Sequence, residues 1–161
     1  MKRGLIFFYF VAITLVVLAS PGCTDKNAII DQNSEIADHN WTYLNKVGFE
    51  VKIDDEKTPY NLYMNLRVTA DYKYSNIFVL ITQVDPDKKA EVKRYELKLA
   101  NKDGEWLGAG SGNLYSYQSH FRTNYKFLAK GIYHFYIEQN MRDNPLREVS
   151  DVGLRVEKAG K

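Results

Sequence analysis

From Val47 onward the chain is written with a period of two. Val47, Phe49, Val51 and Ile53 alternate with Gly48, Glu50 and Lys52, and Leu62, Met64, Leu66 and Val68 alternate with Asn61, Tyr63, Asn65 and Arg67. A pleated strand sends successive side chains to opposite faces, so each run predicts a strand with one face in a core and the other in water. Ile77 to Val84 is apolar on both faces and rich in β-branched residues, which predicts a central strand covered on both sides. Asp85-Pro86-Asp87 ends it, because proline has no N–H for the ladder and aspartate favours a turn. Alternation resumes at Tyr95, Leu97 and Leu99, at Phe121, Thr123, Tyr125 and Phe127, at Tyr133, Phe135 and Ile137 after a Lys130-Gly131 turn, and at Val152, Leu154 and Val156. Between them lie a glycine-rich loop from Asn101 to Asn113, with room for a short strand, and a long connection from Asn140 to Ser150. No stretch of the mature chain carries a helical apolar stripe over three turns. The pattern predicts an all-β domain over residues 41–161, an antiparallel β-sandwich of Ig-like or jelly-roll-like kind with about seven or eight strands.

The front of the chain is built differently. Lys2 and Arg3 precede an apolar run from Leu5 to Ala19, broken only by Thr14, and Ser20-Pro21-Gly22 leads into Cys23. This is the layout of a secretory signal, and the run is shorter than the roughly 20 residues a membrane-spanning helix needs. Small side chains directly before the one cysteine point to a lipoprotein signal over residues 1–22. Its thiol, at Cys23, would take a diacylglyceryl group before cleavage and leave the protein on the membrane by acyl chains, palmitate among them. An ordinary cleaved signal followed by an incidental cysteine is the plainer alternative, and Ser20 with Pro21 departs from the commonest form of the motif. Residues 23–40 are polar apart from Ile29, Ile30 and Ile36, and read as a lipidated terminus and tether. A short strand around Ile29 and Ile30, docked on the domain, is the other arrangement the segment allows.

Composition narrows the chemistry. Of 161 residues, 22 are Lys or Arg and 20 are Asp or Glu, and losing Lys2 and Arg3 with the signal leaves the mature chain balanced. Without a basic block there is no electrostatic footprint for nucleic acid. One cysteine allows neither an internal disulfide nor a cysteine-rich zinc site. Gly108-Ala109-Gly110-Ser111-Gly112 misses the nucleophile-elbow spacing by one position and has no helix to open. His39, His120 and His134 show no ligand spacing, and the pairs Asp54 with Asp55 and Asp85 with Asp87 sit where turns need capping. No catalytic residue, metal or cofactor is expected.

Tyrosine is what remains. Tyr63 and Arg67 lie on the strand face opposite Leu62 and Leu66, Tyr72 and Tyr74 flank a turn, and Trp106 stands in the glycine-rich loop. As good strand formers these read as ordinary rim residues; they are equally the residue types that dominate protein interfaces and stack on sugar rings.

Several strings carry a resemblance. Pro59-Tyr60-Asn61-Leu62-Tyr63-Met64-Asn65-Leu66-Arg67, Tyr72-Lys73-Tyr74-Ser75-Asn76-Ile77-Phe78, Asp103-Gly104-Glu105-Trp106-Leu107-Gly108-Ala109-Gly110, Gln139-Asn140-Met141-Arg142 and Asp151-Val152-Gly153-Leu154-Arg155-Val156-Glu157-Lys158 occur in an order and spacing similar to the gliding-motility lipoprotein family GldH. The resemblance implies a non-enzymatic envelope lipoprotein of the Bacteroidetes at the outer membrane. It would be an accessory component of the gliding-motility or linked protein-secretion machinery, in contact with other envelope proteins. Members in species that do not glide would serve secretion or envelope assembly. The resemblance carries over no catalytic residue, and only Cys23 as a functional position. The alternative is a surface glycan-binding lipoprotein, with Trp106 or the pair Tyr72 and Tyr74 as the stacking platform.

Overall fold

The computed structural model describes residues 25 and 27–160. The signal and Cys23 lie outside the described residues. Eleven strands follow in chain order: β1 (Ala28–Glu35), β2 (Asn40–Trp41), β3 (Val47–Ile53), β4 (Tyr60–Thr69), β5 (Asn76–Val84), β6 (Ala90–Lys98), β7 (Ala109–Ser111), β8 (Leu114–Tyr125), β9 (Gly131–Gln139), β10 (Leu146–Arg147) and β11 (Val149–Lys158). A 3₁₀ turn at Ala37–His39 separates β1 from β2, and no α-helix occurs among the described residues. A five-stranded sheet runs β1-β11-β4-β8-β7, a four-stranded sheet runs β3-β9-β5-β6, and β10 with β2 makes a two-stranded ribbon. Every pairing is antiparallel.

The sandwich expected from the alternation is therefore present, and the alternating residues supply its core. Leu62, Met64, Leu66 and Val68 of β4 lie beside Val152, Leu154 and Val156 of β11 on one inner face. Val47, Phe49, Val51 and Ile53 of β3, Ile77, Val79 and Ile81 of β5, and Tyr133, Phe135 and Ile137 of β9 cover the other. All are buried, and burial of such side chains contributes about 1.5–3 kcal/mol each. Four strands beyond the seven long ones are the short β2, β7 and β10 and the polar β1.

Three expectations are corrected. From Ala28 the N-terminal segment is not a free tether but takes the docked alternative: Ala28–Glu35 is a full edge strand, paired with β11 from Ala28–Glu157 to Glu35–Asp151. Its one inward anchor is Ile30, with Ile36 buried just beyond its end, so backbone pairing rather than an apolar face holds it. β5 is interior to its sheet but is fully buried on one face only. Phe78, Leu80, Thr82 and Val84 on the other face are half-buried, because no layer among the described residues packs over the outside of the four-stranded sheet. The Asn140 to Ser150 connection is partly structured, with β10 inside it and β11 starting at Val149.

The register places the connections at two ends. One end gathers residues 54–59, 85–89 and 126–130 together with both described termini, since Tyr60 pairs with Lys158 and Tyr125, and Ile53 with Gly131. It is closed by Tyr60, Tyr125, Phe127 and Tyr133, whose rings meet at centroid distances of 4.6–5.4 Å. The Tyr60 hydroxyl donates to the Asp55 carbonyl and the Tyr133 hydroxyl to that of Ala129, both at 2.8 Å. The opposite end gathers residues 42–46, 70–75, 99–108 and 140–148, around a buried Trp41 whose indole N–H donates to the Asn45 carbonyl at 2.8 Å.

Gly153 decides how closely β1 approaches. A Cβ built there would lie 2.0 Å from Asn33 Oδ1 and 2.5 Å from the Gln32 carbonyl oxygen, and the latter is backbone that cannot step aside. Gly153→Ala should therefore peel β1 from β11 and cost about 1–3 kcal/mol, the range for overpacking. Urea unfolding gives the loss, and hydrogen exchange should show it concentrated at the amides of residues 30–35; unchanged protection there would contradict the account.

Candidate functional site

Two surfaces hold the residues singled out from the sequence. The first is the outer face of the five-stranded sheet. Tyr63 and Arg67 point outward from β4 as the alternation requires, and each is tied to β11: the Tyr63 hydroxyl donates to Glu157, and Arg67 Nη2 donates to Asp151 at 2.6 Å. Asp151 is buried and also accepts from the Ser150 hydroxyl. Tyr63 packs against the His120 ring with centroids 4.1 Å apart. Beside them Arg155 donates to Asp31 at 2.7 Å, to Glu157 at 2.9 Å and to Asp25, while Asn65 donates to Asp31 at 2.9 Å and Gln118 to Asn65 at 3.0 Å. A shallow cleft of about 540 Å³ runs between Asp31, Asn65, Arg67, Ser116 and Gln118. The polar heads here bind four adjacent strands to one another.

The titrations follow from these bonds. The hydrogen bond from Tyr63, then Arg155, holds the Glu157 carboxyl below the ordinary range, and the same bond pushes the Tyr63 phenol up. The Asn27 backbone N–H, then Arg155, holds Asp25 low. Asp31, then Glu157, raises Arg155 further into its charged form.

The second surface lies at the end opposite the termini. Tyr72 and Tyr74 both stand in the β4–β5 turn, but only 4% of Tyr72 is exposed; its hydroxyl donates to the Asn76 carbonyl at 3.2 Å and burial pushes its phenol up. Its ring offers no open face to a ligand. Tyr74, edge-on to Tyr72 at 6.0 Å, is half-exposed and stands at the mouth of two adjoining clefts of about 570 and 290 Å³. Lys73 lies 5.0 Å from the Tyr74 ring centroid and 3.2 Å from the Asp143 carboxylate. Tyr74, then Lys73, lowers the Asp143 carboxyl, and Tyr74, then Asp143, raises Lys73.

The larger cleft is walled by Asp71, Asp143 and Glu148 against Lys73, Arg142 and Arg147. In the smaller one the Arg94 guanidinium covers the Phe78 ring at 3.8 Å and donates to Asn140 at 2.8 Å. Buried Gln139 fixes the connection below, donating to the Asp143 carbonyl at 3.0 Å and accepting from the Met141 N–H at 2.8 Å. Tyr43 donates its hydroxyl to the Met141 carbonyl at 2.6 Å, which sets Leu44 beside the clefts with 93% of its surface exposed.

Trp106 stands apart from the cleft linings, half-buried in the β6–β7 connection against Tyr115 with ring centroids 5.5 Å apart. The structure thus brings Tyr63 and Arg67 onto one face and Tyr72 and Tyr74 to one end, and joins neither pair to Trp106. Leu44, Phe78, Arg94, Met141, Arg142 and Asp143 were not singled out as site residues from the sequence, although Phe78, Met141 and Arg142 stand in the family strings. The apolar pair Tyr43-Leu44 in a polar stretch was a readable signal; the others converge through strand register.

Residues 28–156 match the family described as GldH lipoprotein. The chain belongs to that family. Among curated relatives, the gliding motility lipoprotein GldH homolog of Christiangramia forsetii is 35% identical over 95% of this chain and 96% of its own. The gliding motility lipoprotein GldH of Flavobacterium johnsoniae is 28% identical over 83% and 86%. The resemblance drawn from the strings is borne out, and GldH membership makes this a gliding-motility lipoprotein held at an envelope membrane. Two solved structures are similar at TM-scores below 0.5. A family GH115 4-O-methyl-α-glucuronidase with specificity for decorated arabinogalactans gives a TM-score of 0.43 at 11% identity, over 88% of this chain and 19% of that one. The VP2 subviral particle of infectious bursal disease virus gives 0.35 at 14%, over 81% and 31%.

The low-lying Asp25 and Glu157 carboxyls set a pH dependence on β1. A carboxyl held below its unfolded value contributes stability that is present above that value, about 4, and lost as pH falls through the folded one. Amide protection in residues 30–35 should therefore hold at pH 7 and fall as the pH drops below about 4. Arg155→Met should lower it at neutral pH and flatten the acid response. An edge strand equally protected at pH 7 and pH 3 would refute this.

Proposed function

We propose that the protein is a non-enzymatic accessory lipoprotein, anchored in the outer membrane through Cys23, whose end opposite the termini docks an envelope protein of the motility or linked secretion machinery. The observation that carries this reading is the clustering of Tyr74, Arg94, Met141 and Arg142 around one cleft, with Leu44 exposed in the 42–46 connection at the same end. An exposed apolar side chain at the same end as a half-buried tyrosine and exposed arginines matches the residue types enriched at interfaces, and the balanced charge of the larger cleft suits a mixed polar rim. The glycan alternative needs open ring faces for stacking. Arg94 covers Phe78, Lys73 lies against Tyr74 and Tyr72 is buried, which leaves that alternative weaker.

Crosslinking in cells, followed by affinity purification and mass spectrometry, tests the reading. Cys23→Ala should move the protein from the membrane to the soluble fraction; retention with full activity would remove the anchor. Leu44→Asp combined with Arg142→Glu changes two exposed side chains, so the thermal midpoint should stay within a few degrees. Recovery of motility or secretion components should fall about tenfold or more, the effect of losing a hot-spot residue. Undiminished recovery would place the interface elsewhere, and binding of envelope polysaccharide at millimolar sugar would favour the glycan role.

A further inference from the structure

Among the described residues Leu44 is one of two large apolar side chains that stand almost wholly in solvent; the other is Leu128, 84% exposed, at the opposite end. A single exposed leucine means little by itself. Its setting gives it meaning. Leu128 tips the β8–β9 loop, in the run Lys126-Phe127-Leu128-Ala129-Lys130, with both lysines exposed. The loop is held from below: Phe127 is buried among the rings of Tyr60, Tyr125 and Tyr133, and the Tyr133 hydroxyl bonds both the carbonyl and the N–H of Ala129, at 2.8 and 3.2 Å. Leu128 is thus presented outward on a braced tip.

The N-terminal chain enters the fold at this same end. The Asp25 carbonyl accepts from Ala28 N–H at 3.2 Å, its carboxylate accepts from Asn27 N–H at 3.0 Å and from Arg155, and Lys158 N–H donates to the Asn27 carbonyl at 3.0 Å. Cys23 is two residues before Asp25, and two residues span at most about 7 Å. A lipid on Cys23 would leave no slack between bilayer and domain. Three strand spacings separate β1 from β8, about 14 Å across the end, so the loop and the anchor meet one lipid surface.

We infer that Lys126–Lys130 is a second membrane contact built by the protein itself. Leu128 enters the headgroup and acyl boundary, Lys126 and Lys130 lay their stems along it with their ammonium groups among lipid phosphates, and the clefts at Tyr74 are held facing away from the bilayer. The inference rests on lipidation at Cys23. Asp54, Asp55, Glu56, Asp85 and Asp87 share this end with Lys57, Lys88, Lys89 and the two loop lysines, and Lys130 lies 3.8 Å from Glu56, so the charges of this end nearly balance and the loop does not recruit the protein by charge. It orients a domain that the acyl chains already hold.

The test uses the lipidated mature protein in vesicles of phosphatidylethanolamine and phosphatidylglycerol. Acylated Cys23 carries no free thiol, so Leu128→Cys or Leu44→Cys offers a single site for an environment-sensitive fluorophore. The label at 128 should shift to the blue and be quenched by headgroup and shallow acyl-chain nitroxide lipids, while the label at 44 remains in water. If the protein floats with the vesicles and the label at 128 stays aqueous, the loop contact is wrong and the anchor stands. Equal quenching at both positions overturns the orientation. Failure of the unlabelled lipidated protein to float overturns the anchor and this inference together.

Discussion

Arg155 stands on the outer face of β11, with 14% of its side chain exposed and three carboxylates around it. Two of them, Asp25 and Asp31, belong to the start of the described chain, and the third, Glu157, is shared with Tyr63 of β4. One guanidinium therefore joins the entering segment, β1, β11 and β4. Its planar fork suits this, because several charge-assisted bonds form from one ordered group. Gly153, two positions earlier on the same face, supplies the room that Asn33 needs. The close fit of β1, and with it the place where the chain leaves the fold, depends on these two residues.

The long strands were legible because each buries one face and wets the other. β3 follows strict alternation from Val47 to Ile53, and β4 nearly so from Tyr60 to Val68. β1 was hard to see because an edge strand with one inward side chain leaves no period to read. β6 hides for a related reason: Ala90 to Arg94 are all exposed, and charged residues on that edge discourage pairing with another chain. β5 misled because apolar side chains on its outer face look like burial, while the structure leaves them half-covered by neighbours such as Arg94.

The candidate site was less legible than the fold, for geometric reasons. Tyr72 and Tyr74 are two apart and look equivalent in sequence, yet the turn carries Tyr72 into the core and leaves Tyr74 at the surface. Arg94 reaches Phe78 from the neighbouring strand, and Met141 reaches it from a connection more than sixty residues away. Such convergence depends on register, which one sequence without its partner strands does not specify. The family strings marked the right segments, Tyr72 to Phe78 and Gln139 to Arg142, before the structure showed that they touch.

The entry of β1 has a mechanical consequence. β1 runs from the end where the chain begins toward the end that carries the clefts, antiparallel to β11 along seven paired positions. A pull on the N-terminus against resistance at the clefts acts along the strand, perpendicular to the hydrogen bonds of the pair. The bonds are then loaded together in shear instead of opening one after another, with Arg155 gripping the loaded end. A load applied between the N-terminal end and the clefts would be borne by the whole length of that ladder.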